Sequence, residues 1–245
     1  MRAFVLAAGY GKRLRPFTAE VPKALVKVQG VPMIEIVVER LKKFGITDIV
    51  VNLHHYGSKI EQYIKEKNFF GINIRFSYED ELLDTGGAIK HASHLLNDGR
   101  PVLLHNVDIL SDIDLASFTG EFEHKNADVL LAVKDRKTTR YLLFDKDNRL
   151  QGWENIKTGE KILRQNADLS SLNPLAFSGI HIIGKNALEK LFSYPEDKFS
   201  ITKFYLEYME ELGIYGYPHN DDFVMDLGKL DSLQIAQYLD LRKFL

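Results

Sequence analysis

Apolar residues fall in short bursts along this chain. Ala3-Phe4-Val5-Leu6 is an unbroken run, the mark of a strand buried on both faces. Met33 to Phe44 has apolar residues at helical spacing, and Gly45 stops it. Asp48 to Leu53 reads as a second strand, Ser58 to Lys67 as a helix and Ile72 to Tyr78 as a third strand. Asp84-Thr85-Gly86-Gly87 opens a helix that should reach Leu96, and Val102 to Asp108 is a fourth strand. Strands alternating with helices predict a three-layer α/β/α, Rossmann-like fold with a mixed, mostly parallel sheet.

The second half is less regular. Asp128 to Val133 and Phe177 to Ile183 read as strands. Tyr141 to Asp145 and Arg149 to Trp153 flank Lys146-Asp147-Asn148 as a hairpin. Residues 155–175 lack periodicity and are expected to form a loop. Ala187 to Phe192, Ile201 to Leu212 and Leu230 to Phe244 read as helices, and Tyr215 to Pro218 as a short strand. No linker is evident, so residues 1–245 are expected to form one domain, with a lid inserted at roughly 135–180.

The composition suits such a fold: 245 residues, 45% of them hydrophobic, can bury a sizeable core. Lysine and arginine total 32 and aspartate and glutamate 34, a formal charge of −2, so nucleic acid and membrane are not expected partners. The absence of cysteine excludes disulfides, thiolate metal sites and cysteine nucleophiles. The first apolar run is too short for a signal peptide, which gives the expectation of a cytoplasmic protein. His54 and His55, as neighbours in a strand, would point to opposite faces, and His91/His94 have no identified third ligand, so a zinc site is not expected.

The candidate chemistry lies after the first strand, at the carboxyl edge of the sheet where open α/β folds bind ligands. In Gly9-Tyr10-Gly11-Lys12-Arg13-Leu14-Arg15, two glycines allow close backbone approach to phosphate, and Lys12, Arg13, Arg15 and Lys23 supply positive charge. Leu14 stands where a dinucleotide fingerprint needs its third glycine, which counts against a nicotinamide dehydrogenase. Arg13 stands where a Walker loop needs Ser or Thr.

The stretch Gly-x-Gly-x-Arg-Leu-x-Pro-x-Thr-x-x-x-Pro-Lys, complete from Gly9 to Lys23, resembles the signature of the sugar-1-phosphate nucleotidyltransferases. The resemblance continues through Asp84-Thr85-Gly86-Gly87, His105-Asn106-Val107-Asp108, Phe177-Ser178-Gly179-Ile180 and Met225-Asp226-Leu227-Gly228. Within the family the chain looks most like short N-acetylmuramate-1-phosphate uridylyltransferases and mannose-1-phosphate guanylyltransferases. No hexapeptide repeats follow, so no acyltransferase half is expected.

The resemblance implies roles. Arg13 would clamp the β- and γ-phosphates, and Lys23 would meet the α-phosphate and the incoming sugar phosphate. Asp108 and Asp226 would hold magnesium. Glu79 would read the base edge. Ala7, Ala8, Gly9, Gly11, Lys12, Thr85 and Gly86 complete the expected nucleotide site. Asn106, Glu154, Asn155, Ser178 and Gly179 are expected at the sugar, with Arg140 as a partner for an anionic substituent. Two positions depart from the common pattern: Val107 precedes Asp108 in place of glycine, and Asp84 precedes Thr85 in place of glycine.

The implied reaction needs this inventory. A sugar 1-phosphate oxygen attacks the α-phosphorus of a nucleoside triphosphate. That oxygen is already anionic near neutrality, since a phosphomonoester's second pKa is about 6, so no general base is needed. Positioning and charge neutralisation dominate. UTP with an N-acetylmuramate 1-phosphate-like hexose 1-phosphate is favoured, and GTP with mannose 1-phosphate is the alternative. A non-catalytic nucleotide-sugar-binding regulatory module is the rival of another class, although a mere binder need not keep both metal carboxylates. Oligomeric state is left open.

Overall fold

Short apolar strands pairing in parallel organise the molecule. The computed structural model describes residues 1–245, apart from the Leu169 side chain. In chain order the strands are β1 (Arg2–Leu6), β2 (Lys27–Val28), β3 (Val31–Pro32), β4 (Asp48–Leu53), β5 (Asn73–Tyr78), β6 (Val102–Asn106) and β7 (Ile109–Ser111). They continue with β8 (Val129–Lys134), β9 (Arg140–Phe144), β10 (Leu150–Asn155), β11 (Glu160–Leu163), β12 (Asn173–Ile183), β13 (Ile214–Pro218) and β14 (Val224–Asp226). The helices are α1 (Met33–Lys43), α2 (Gly57–Glu66), α3 (Asp84–His91), α4 (Ser93–Leu96), α5 (Leu115–His124), α6 (Lys185–Phe192), α7 (Ile201–Tyr208) and α8 (Leu230–Ala236).

The main sheet runs β5-β4-β1-β6-β12-β8-β13, and only β12 is antiparallel to the rest. Side chains alternate across it. Ala3, Val5 and Leu103 join one core with Ile34, Ile60, Phe118 and Leu233, from α1, α2, α5 and α8. Phe4, Val102 and Leu104 join the other with Ile89, Leu96, Leu188 and Phe204, from α3, α4, α6 and α7. The sheet is therefore covered on both faces, as the alternating elements predict. Among the described residues, no helix is long and apolar enough to cross a membrane.

Several segments differ from the sequence reading. Residues 155–175 are not one loop. Glu160–Leu163 forms β11 on β10, and β12 begins at Asn173, where its first residues pair with β9. β11 is exposed along most of its length, so it lacks the apolar alternation that would reveal it. Its backbone pairing supplies the order instead. The helix expected over 230–244 stops at Ala236, and a 3-10 turn follows at Leu241–Lys243. Sequence reasoning missed α5, which Asp114 caps by accepting from Ala116 N and Ser117 N. It also missed β7 and β14, which are three residues long each.

Candidate active site

Four parallel strands, β1, β4, β5 and β6, end on one edge. The segments that leave them line a cleft of about 450 Å³, bordered by Ala8, Gly9 and Lys23, by Asn52, by Glu79, Asp84 and Thr85, and by Asn106 and Asp108. This is the carboxyl edge expected of an open α/β sheet.

The loop after β1 is shaped by its own signature residues. Thr18 Oγ1 donates to the Gly11 carbonyl at 2.9 Å. Gly11 has φ +63°, and a Cβ there would lie 2.9 Å from Thr18 Cγ2 and 3.0 Å from Lys23 Cβ, so glycine is needed for both backbone and space. The folded loop delivers Lys23 to Asp108, where Lys23 Nζ closes an ion pair on Oδ2.

Asp226 arrives from the far end of the chain. β14 pairs antiparallel with β7, which sets Asp226 opposite Ile109, and the Leu227 N–H donates to the Asp108 carbonyl at 2.8 Å. Asp226 Oδ1 accepts from Gly228 N at 2.8 Å, and Arg13 Nη2 stands 3.6 Å from Oδ2. Burial pushes the Asp108 carboxyl above its usual range, Lys23 opposes this, and Asp226 adds to it. Burial alone would raise Asp226 too. The Gly228 N–H, the hydrogen bond with Asp108 and the charges of Arg13 and Lys23 together hold it below the usual carboxylate range.

Gly228 closes this corner. A Cβ there would lie 2.7 Å from Asp226 Oδ1, 2.8 Å from Asp108 Oδ2 and 2.7 Å from Arg13 Nη2. The two carboxylates thus face one small space that a side chain would fill. Hard carboxylate oxygens around such a space suit magnesium.

A family model described as Nucleotidyl transferase matches residues 2–243. The chain belongs to the nucleotidyl transferase family. Among curated relatives, it is 43% identical to the N-acetylmuramate alpha-1-phosphate uridylyltransferase of Neisseria meningitidis over 124 residues, 50% of this chain. The chain spans only about half of that relative, 52% of its length. It is 28% identical to the D-glycero-alpha-D-manno-heptose 1-phosphate guanylyltransferase of Campylobacter jejuni, covering 93% of this chain and 95% of the relative. Among solved structures, a putative glucose-1-phosphate thymidylyltransferase from Bacillus anthracis superposes with a TM-score of 0.82 at 18% identity, covering 100% of this chain and 98% of that one. That likeness establishes the fold.

Within this family member, the expected site residues divide into two groups. Ala8, Gly9, Lys23, Glu79, Thr85, Asn106 and Asp108 border the cleft, and Arg13 and Asp226 meet at its corner beside Asp108. The four loop cations do not converge. Lys12 sits over the Tyr10 ring at 5.3 Å, and Arg15 is exposed. Ala7 contributes its N–H to Asn52.

Glu79 borders the cleft, but it is 5% exposed and its carboxylate is engaged by the protein. Oε1 accepts from Asn52 Nδ2 at 2.6 Å and Oε2 from Leu83 N at 3.0 Å. Gly86 faces away from the cleft. Its N–H donates to the Phe199 carbonyl at 2.9 Å, so the start of α3 spends this donor on the protein. A Cβ on Gly86 would overlap the Phe199 ring. Thr85 Oγ1 accepts from Ile201 N at 2.9 Å.

Of the residues expected at the sugar, Gly179 packs on Asn106, whereas Ser178 is buried with its hydroxyl on His219. Glu154 pairs with Lys161 at 2.9 Å, and Asn155 Oδ1 accepts from Lys157 N at 3.1 Å; neither borders the Asp108 cleft. Arg140 lines a second cleft of about 470 Å³ with Trp153, Ile162 and the α7 residues Thr202 and Lys203. The two clefts flank one short segment, since Lys198 lines the first and Ser200 the second.

Sequence reasoning missed Asn52, Lys198 and His219. Asn52 is a polar residue in an otherwise apolar strand, which is a readable signal of a buried bonding role. Lys198 lies in a polar stretch and carries no such signal.

Proposed function

We propose that this chain joins a nucleoside triphosphate, UTP favoured, to a hexose 1-phosphate, giving a nucleoside-diphosphate sugar and pyrophosphate. The observation that carries the reading is the meeting of Asp108 and Asp226 with Lys23 and Arg13 at one corner of the strand-end cleft. In the reaction, an oxygen of the sugar 1-phosphate bonds to the α-phosphorus. The bond from the α-phosphorus to the oxygen that bridges to the β-phosphorus breaks, and that oxygen leaves with the electron pair as part of pyrophosphate.

Arg13, exposed beside Asp226, is placed to meet the outer phosphates. Lys23, held on Asp108, is placed to meet the phosphate that reacts. A bidentate or clustered cation arrangement suits phosphate oxygens, and such neutralisation is the main burden of phosphoryl-group chemistry. A magnesium ion held by Asp108 and Asp226 would add neutralisation that side-chain cations alone do not provide. In the second cleft, where Glu160 and Glu207 would oppose an anion, Arg140 beside the Trp153 ring is the group suited to an anionic substituent such as that of N-acetylmuramate 1-phosphate.

UTP is favoured by the 43% identity to a uridylyltransferase. A second reading, GTP with a mannose or heptose 1-phosphate, rests on the guanylyltransferase relative that matches 93% of the chain. A purely binding role is disfavoured by the paired carboxylates, which a nucleotide-sugar sensor does not need.

The test is pyrophosphate release from each of the four nucleoside triphosphates against N-acetylmuramate, mannose, heptose and glucose 1-phosphates, with magnesium and with a chelator. Release with UTP and the anionic sugar, abolished by the chelator, is expected. Release with GTP and a neutral sugar establishes the second reading. No release from any pair overturns both.

A further inference from the structure

β12 is interrupted where it passes Asn106, at the end of β6. It pairs with β8 at Phe177↔Val133 and again at His181↔Leu131, so the path from Phe177 to His181 takes four steps against two on β8. The extra residues form a bulge containing Ser178 and Gly179. Gly179 has φ +76°, and a Cβ there would lie 2.8 Å from Asn106 Nδ2 and 3.0 Å from Ile109 Cγ1. The bulge is therefore pressed against the end of β6, two residues from Asp108.

The bulge has a buttress behind it. Ser178 Oγ and His219 Nε2 are hydrogen-bonded at 2.8 Å, with Ser178 1% and His219 4% exposed. His219 is itself anchored, because its N–H donates to the Val133 carbonyl at 3.0 Å and Lys134 Nζ donates to its carbonyl at 3.3 Å. Arg136 Nη2 donates to the Phe177 carbonyl at 2.9 Å and fixes the start of the bulge. The other ring nitrogen, Nδ1, lies 3.9 Å from Asp222 Oδ2. Burial, with Lys134 and Arg136 nearby, lowers the His219 pKa to about 4, so the ring is neutral near pH 7.

We infer that His219 is a positioning residue for the sugar 1-phosphate: through the Ser178 hydroxyl it holds the Ser178–Gly179 bulge against Asn106, and so sets the position of Asn106, which borders the Asp108 cleft. Neither His219 nor the bulge borders that cleft, so the effect is exerted through Asn106. The inference rests on the proposed reaction for its kinetic consequence, but not for its structural one.

The experiment compares His219→Leu, His219→Gln and Ser178→Ala in the full chain. The buried hydrogen bond is lost in the first and third, while a glutamine amide can stand in for Nε2. His219→Leu is expected to raise the KM for the sugar 1-phosphate about tenfold, about 1.4 kcal/mol, and leave the triphosphate KM within about twofold, because the slackened bulge acts on the acceptor through Asn106. Ser178→Ala should match it, the double variant should be no worse than either single one, and His219→Gln should recover most of the loss. Backbone amide exchange at Gly179 and Ile180 should quicken in His219→Leu and Ser178→Ala and return toward normal in His219→Gln.

Unchanged exchange at these amides in folded Ser178→Ala protein overturns the inference. So does an equal rise in both KM values, or a glutamine variant no better than leucine. If the unaltered protein releases no pyrophosphate with any pair, the proposed reaction fails, and the exchange measurement still decides whether His219 holds the bulge.

Discussion

Asn52 Nδ2 donates to Glu79 Oε1 at 2.6 Å, while Asn52 Oδ1 accepts from the Ala7 N–H at 2.6 Å and the Ala8 N–H at 3.3 Å. One buried amide thus links the Glu79 carboxylate to the start of the loop after β1. Glu79 is oriented first to hold this link. Glu79→Gln would set an amide N–H against one of two donors, Asn52 Nδ2 or Leu83 N, and Asn52→Leu would leave the Ala7 and Ala8 N–H groups without their acceptor. Each change is expected to raise the triphosphate KM by roughly tenfold for all four bases alike, the scale of a buried donor left unsatisfied. Steady-state kinetics with UTP, GTP, CTP and ATP checks this. A loss confined to UTP and GTP would instead assign Glu79 to reading the base.

The proposed metal corner, Asp108 with Asp226, predicts a separation of activity from stability. Asp108→Asn and Asp226→Asn are each expected to lower kcat by a hundredfold or more, with the double variant losing less than the product of the two. Burial raises the Asp108 pKa, so its ionised form is disfavoured in the fold. Removing that charge should leave Tm at pH 7 level or higher. Gly228→Ala keeps both carboxylates but fills the space between them, and it should also lose activity while remaining folded. Calorimetry beside pyrophosphate release distinguishes these outcomes, and a fully active Gly228→Ala protein would refute the shared corner.

Trp153 is the only tryptophan in the chain and lines the second cleft with Arg140. Titrating a carboxylate-bearing sugar 1-phosphate should therefore change the intrinsic fluorescence. Arg140→Ala should weaken that sugar by about tenfold and a neutral sugar phosphate much less, since a charge-assisted hydrogen bond is worth about 1.5–3 kcal/mol. An equal effect on both sugars would remove Arg140 from acceptor recognition.

Three buried histidines predict acid sensitivity. Burial lowers His105 and His219 to about 4 and His181 to about 3. Both ring nitrogens of His181 lack a hydrogen-bond partner among the described residues. The unfolded chain binds protons near pH 6.5 while the fold does not, so stability falls as pH drops from about 6.5 toward 4. At pH 5 each such histidine should cost about 2 kcal/mol relative to pH 7. Thermal melts should show Tm falling over this range, and His181→Leu should make the slope shallower. An unchanged slope would mean that His181 is not held neutral.

The alternation of strands and helices, and the residues that shape the loop after β1, were legible from the sequence. Both are short-range properties. Apolar runs such as Ala3 to Leu6 mark strands buried on both faces, and Gly11, Thr18 and Lys23 shape one another within a single loop. Only the tertiary structure decided which polar groups face the cleft. Asp226 reaches Asp108 through β7 and β14, whose three residues apiece carry no periodic signal. Glu79 and Gly86 are motif residues that spend polar groups on Asn52, Leu83 and Phe199, partners distant in sequence or hidden by burial. Ser178 turns its hydroxyl inward because His219 waits behind the bulge. A motif states which donors and acceptors exist, but a buried polar group takes whichever partner the packed chain brings to it, and that choice is made by contacts far apart in sequence.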